Sequence, residues 1–155
     1  MKSIGIAFLA FALAGCATQQ GGSGAAHGMK SLRSAHSAKA TLDRFEAAVK
    51  ARGLNVFARI DHGAGAQKIG KTLRPTELLV FGNPQGGTPL MECAQGAGID
   101  LPLKALAWQD AAGAVWLSFN EPRFLMHRHG GGDCQPAVDN LTKALEALAG
   151  EATRP

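Results

Sequence analysis

The residues able to do chemistry fall into three groups. Asp61-His62 closes an apolar stretch, Leu54 to Ile60, and precedes the Gly-rich run Gly63 to Ala66. Functional side chains are commonly displayed where a strand gives way to a loop, and an imidazole there titrates near neutral pH. His62 could act as a general base or a ligand, with Asp61, Thr88 or His129 in support. The structural alternative is that Asp61 caps a short helix and His62 packs beside it. The second group is His127-x-His129 followed by Cys134. On a helix, positions two apart point about 200° away from each other, so only an extended segment lets both grip one ion. No spacing here matches a zinc module, which leaves His127, His129 and Cys134 a loose set and no cofactor expected. The third group surrounds "FGNPQGGTPLM", residues 81–91. It lacks both the Lys-Ser/Thr ending of a Walker loop and the Gly-x-Gly-x-x-Gly spacing. Backbone N–H groups after Gly86-Gly87 could still receive a carboxylate or phosphate oxygen, if a helix starts there. Asn83, Thr88, Arg74 and Lys104 join His62 as ligand-binding candidates on that reading; a plain turn and capped helix is the alternative. Ser118 has no Gly-x-Ser-x-Gly elbow around it, so no serine nucleophile is indicated.

Cysteine usage bears on location. Lys2 and the eleven-residue run "IGIAFLAFALA" have the charge and length of an export signal, and the run is too short to span a bilayer as a helix. Residues 13–16 read Leu-Ala-Gly-Cys, an order that resembles the bacterial lipobox. That resemblance implies cleavage after Gly15 and lipidation of Cys16, hence a chain anchored to a bacterial membrane and facing the periplasm. Ala17 in place of Asp slightly favours the outer membrane. The remaining pair, Cys93 and Cys134, is most simply a disulfide in an exported chain, with free thiols or a metal site as alternatives.

Residues 16–40 are rich in Gly, Ser, Ala and Gln and poor in large apolar groups, which predicts a lipidated N-terminus and flexible tether. Four of the 16 Lys and Arg residues precede Thr41, whereas all 12 acids follow it, so the domain from Thr41 onward is formally neutral. A neutral, exported domain carries no sign of a nucleic-acid partner. The basic tether could lie against anionic headgroups.

The elements that must position these residues follow from periodicity. Leu42, Phe45, Ala48, Val49 and Arg52 have helical spacing, with Thr41 available to cap. Residues 54–60 and 76–82 read as strands, with a short helix within 63–73 between them. Thr88 and Pro89 predict a helix starting near residue 88. Residues 101–110 and 115–120 read as a hairpin, with Trp108, Trp116 and Phe119 as core. A short helix at 121–130 and a long one at 136–150, ended by Gly150, complete a single domain over 41–150 and a tail at 151–155. This order predicts an α+β two-layer sandwich, a mixed β-sheet with helices packed on one face.

"IDHGAGA" (60–66), "LRPTELLVFGNP" (73–84), "GTPLM" (87–91), "DLPLKALAW" (100–108) and "SFNEPRFLMHRHG" (118–130) occur in an order that resembles domain of unknown function family 302. The resemblance covers Thr41 to Gly130 and implies an α+β domain, with no assigned activity. The chain departs from the family pattern at "ECAQGAG" (92–98) and "GGGDCQ" (130–135), and each departure brings one cysteine. A bridge special to this branch would explain both. The expected role is a lipid-anchored accessory module at the cell envelope, holding a small or lipidic ligand or a partner protein. A small enzyme built on His62 and a self-associating domain without ligand, seen as a homodimer, are the alternatives.

Overall fold

A five-stranded sheet and two long helices packed on one of its faces organise the molecule. The computed structural model describes residues 28–132 and 134–155; Cys16 and the signal-like run lie outside them. The elements are β1 (Met29–Ser34), α1 (Ala38–Ala51), β2 (Asn55–Asp61), α2 (His62–Gln67), β3 (Thr76–Gly82), α3 (Pro84–Cys93), a 3-10 helix (Gln95–Asp100), β4 (Leu103–Gln109), β5 (Val115–Asn120), α4 (Pro122–Arg128) and α5 (Gln135–Thr153). The strands form one five-stranded sheet in the order β1-β5-β4-β3-β2. The α+β class holds, but the sheet is antiparallel at every pairing rather than mixed. Neither α2 nor α3 crosses the sheet; each leads the chain into the neighbouring strand in the opposite direction, which a parallel pair would not allow.

Alternation sorts the strands into two faces. Leu79, Phe81, Ala105, Ala107, Leu117 and Phe119 point to one side and are buried. Against them α1 places Leu42, Phe45 and Val49, and α5 places Leu145, Leu148, Ala149 and Ala152. The Phe45 and Phe81 rings meet edge to face with centroids 5.1 Å apart. The opposite face bears Leu78, Leu106, Trp108 and Trp116, all half-buried. Phe119 is therefore core, whereas the two indoles lie on the outer face. Trp108 Nε1 donates to Ser118 Oγ at 2.8 Å and Trp116 Nε1 to Asp110 Oδ2 at 2.8 Å, so neither polar edge is left unpaired.

The ordered domain begins earlier and ends later than the sequence suggests. Met29–Ser34, inside the stretch read as tether, is an edge strand paired with β5 from Met29↔Asn120 to Ser34↔Val115. Its partner lies far along the chain, so local composition carries no trace of the pairing. Ser37, not Thr41, caps α1: its Oγ accepts from Ala40 N at 3.2 Å. Thr41 is buried one turn in, donating to Ser37 O at 2.8 Å. At the other end α5 runs through Gly150 to Thr153, since Ala152 and Thr153 are buried and Thr153 O accepts from Ala35 N at 2.9 Å.

One ionic cluster fastens α1 to the sheet edge. Arg59 reaches Glu77 at 2.7 Å, Asp43 at 2.6 Å and Glu46 at 3.2 Å. Asp43 is held below its usual 3.8, first by the Lys39 hydrogen bond and then by Arg59, with desolvation opposing. Glu46 is held below its usual 4.5 in the same way by Lys50 and Arg59. Carboxylates depressed in the folded state add stability above their unfolded values and lose it as pH falls through the folded ones. The melting midpoint should therefore fall on acidification from about pH 5 to about pH 3, and Arg59→Met should flatten that fall. Parallel midpoint curves for the two proteins would show that Arg59 adds nothing to it.

Candidate functional site

At the end of the sheet where β3 finishes and β4 begins, the helices part and leave an open cleft of about 860 Å³. One wall is α3 with the 3-10 helix behind it; the other is α5. Its floor is Phe81, Leu103, Leu145 and Leu148, and its rim is Phe57, Thr88, Asn140 and Ala144. No charged side chain lines it, and the polar ones are Asn83, Gln85, Thr88 and Asn140. On α5 the lining residues Ala137, Asn140, Leu141, Ala144 and Leu148 recur at helical spacing, so one face of the helix serves the cleft along its length. Gly86 and Gly87 keep the facing wall bare: a methyl on Gly87 would sit 3.5 Å from Leu101 Cδ1, inside the space the cleft now has. A volume of this size with a few convergent polar groups matches a small-molecule site.

The wall α3 starts two residues before the Gly-Gly pair. Asn83 is its cap, with Oδ1 accepting from Gly86 N at 2.9 Å and Pro84 in the first turn. Thr88 and Pro89 lie inside the helix rather than at its start. An N–H that would have met an anion is thus already occupied by Asn83. Arg74 and Lys104 do not approach it either: Arg74 Nε donates to Gln109 O at 3.0 Å, and Lys104 Nζ to Asp100 O at 2.8 Å. Of the ligand-binding candidates, Asn83 and Thr88 line the cleft, while His62, Arg74 and Lys104 do not.

The groups an enzyme would need are dispersed. Asp61 caps α2, its Oδ1 accepting from Ala64 N at 2.8 Å, and His62 is exposed as the first residue of that helix. They stand at the far end of β2, about 13 Å along the strand from Phe57 at the rim of the cleft. His129 lies near the 3-10 helix, with Nε2 2.6 Å from Asp100 Oδ2, an acid that spacing did not single out. Arg128 Nη1 reaches the other oxygen of Asp100 at 3.2 Å. His127 is exposed on α4, and Cys134 is in a disulfide, so His127, His129 and Cys134 do not form a ligand set. Among the described residues no group of three or more His, Cys, Asp or Glu side chains could hold a metal ion.

Cys93 and Cys134 are joined, with Cα atoms 6.0 Å apart. The bridge ties the last residue of α3 to the residue before α5, so it clamps the two walls of the cleft at one end. Leu90, Ala97, Met126 and Val138 pack around it as a second small core. The cleft itself escaped the sequence reading. Its local trace is Ala137 and Ala144, small residues in helical register with Leu141 and Leu148 on α5.

Known proteins place this arrangement. The family model for domain of unknown function DUF302 matches residues 30–148. The crystal structure of an uncharacterized conserved DUF302 protein from Bacillus stearothermophilus superposes with a TM-score of 0.73, covering 81% of this chain and 98% of that one, at 19% identity. That likeness concerns the fold alone. Two curated relatives are named fluoride-specific ion channels: FluC 1 of Brucella suis biovar 1 and FluC 2 of Brucella melitensis biotype 1. Each is 50% identical over 127 residues, 82% of this chain. The chain spans about half the length of these relatives, 49% and 46%. With its family model matched from β1 to the body of α5 and its fold shared with a solved member, the chain belongs to the DUF302 family.

Proposed function

We propose that this domain is a binding module for an apolar or lipidic small molecule, held between α3 and α5, in a lipid-anchored protein of the cell envelope. The observation that carries the reading is the uncharged cleft of about 860 Å³, whose polar groups sit beside or above an apolar floor. Such a site favours a ligand with a hydrocarbon body and one neutral polar end, because an ionised group there would lose its hydration without a partner. The scattered positions of His62, Thr88 and His129 favour binding over catalysis. The disulfide suits an oxidising compartment, which supports export. The Leu-Ala-Gly-Cys motif supports an anchor at Cys16, and the ion-channel names of the Brucella relatives support a membrane setting.

Ala144 tests the reading, because it is exposed on the rim and its enlargement disturbs no core. Ala144→Trp should weaken binding of a fluorescent fatty-alcohol probe, which is uncharged, by tenfold or more, equivalent to at least about 1.4 kcal/mol, with an unchanged melting midpoint. Equal probe affinity in the two proteins would remove the cleft as the site.

A further inference from the structure

A second surface stands at the other end of the sheet. Between α2 and β3 the chain runs through Lys68, Ile69, Lys71, Leu73 and Arg74, all exposed. Ile69 is 75% and Leu73 53% accessible, which places two aliphatic side chains in water on one short loop. From His62 to Thr76 there is no acidic residue. Among the described residues none of the three cations forms a salt bridge. The nearby acids are spent elsewhere: Glu77 on Arg59, Asp61 on the cap of α2, and Asp110 on the Trp116 indole and the turn amides.

The loop is held in this shape. Ile69 N, Gly70 N and Lys71 N donate to Ala66 O, Gln67 O and Ala66 O at 3.1, 3.0 and 3.0 Å, and Gly70 takes the left-handed φ of +69° that ends a helix. The Arg74 bond to Gln109 O fastens the far side to the sheet. Exposure of the aliphatic groups is therefore built into the backbone. A single exposed Leu or Ile is ordinary. Two of them among three unpaired cations form a pattern that fits an interface with anionic headgroups above and acyl chains below.

We infer that the loop from Lys68 to Arg74 docks on an anionic phospholipid surface, with Ile69 and Leu73 entering the acyl boundary and the three cations at the phosphates. This surface is separate from the cleft, and its test does not depend on any cleft ligand. The stretch from Cys16 to Gly28 can extend to roughly 40 Å, so an anchor at Cys16 would not prevent the contact.

The full chain is incubated with phosphatidylcholine vesicles or with vesicles also containing phosphatidylglycerol, and amide hydrogen exchange is followed by segment. Exchange across residues 67–74 should slow about tenfold on the anionic vesicles only, while Lys39 to Lys50 exchanges alike on both. Raising the salt should remove the protection, as should K68E/K71E/R74E, whose exchange elsewhere in the domain should match the parent and so report an intact fold. Equal exchange on the two vesicle types would overturn the inference, as would protection that survives the triple charge reversal.

Discussion

Phe45→Ala is expected to destabilise the domain by about 3–5 kcal/mol, the usual range for truncating a fully buried aromatic. Phe45 has no accessible surface and lies where α1 meets the sheet, with Phe81 edge-on beneath it and Leu42 and Val49 on either side. Truncation loses the transfer free energy of the ring, leaves a cavity that the rigid sheet cannot fill, and deletes the aromatic pair. Domains of this size have about 5–15 kcal/mol in total, so the variant should unfold at markedly lower denaturant and melt well below the parent. Phe57 supplies the contrast, being 57% exposed on the rim of the cleft. Phe57→Ala should shift stability by less than about 1 kcal/mol. Urea unfolding of both proteins decides the matter: a loss below about 1 kcal/mol for Phe45→Ala would mean that α1 is not packed on the sheet as described.

Removing the disulfide has the other large effect. The bridge closes a loop with a sequence separation of 41, for which the chain-entropy relation gives up to about 4 kcal/mol. Cys134 is 2% accessible and Cys93 exposed, so the suitable double variant is C93S/C134A, which buries no new hydroxyl. Its thermal midpoint should fall, and dithiothreitol should lower the parent's midpoint by a similar amount while leaving the variant's unchanged. Because the bridge joins the walls of the cleft at one end, the variant should also bind the fatty-alcohol probe more weakly at a temperature where it is still folded. Identical midpoints for parent and variant under oxidising conditions would show that the bridge contributes no stability.

The comparison with Cys93 and Cys134 shows what kind of information a sequence carries. Their pairing was readable because chemistry and number alone constrain two cysteines in a chain with an export-like start. The strands β2 to β5 and the helix α5 were readable because each carries a local signal: Leu78 to Phe81 is an unbroken apolar run, and Val138, Leu141, Leu145 and Leu148 recur every three or four residues. Strand β1 was not readable. "MKSLRS" has one Leu and one Met, and its stability comes from a ladder with Asn120 to Val115, more than 80 residues further along the chain. Likewise Ser37 and Thr41 are both plausible caps by type, and the choice fell to Ser37 because Thr41 is buried beneath β1, its Oγ1 2.6 Å from Ser34 Oγ.

The site divides along the same line. Asp61 was legible as a helix cap, since that role depends on neighbours within a few positions, whereas the helix start expected at Thr88 falls at Pro84, with Asn83 as its cap. That Asp61 and His62 stand at one end of the sheet and Asn83 and Thr88 at the other follows from strand direction, which only the antiparallel pairing of β2 with β3 decided. The partnership of Asp100 with His129 depends on α4 folding back against the 3-10 helix. The cleft depends on how far α3 and α5 stand apart, a distance that no residue specifies alone. From local periodicity and residue chemistry, the sequence by itself determined the α+β class, most of the elements and the family. Tertiary packing alone decided the sheet order, the first strand and the cleft, because each is a relation between surfaces brought together only when the chain closes on itself.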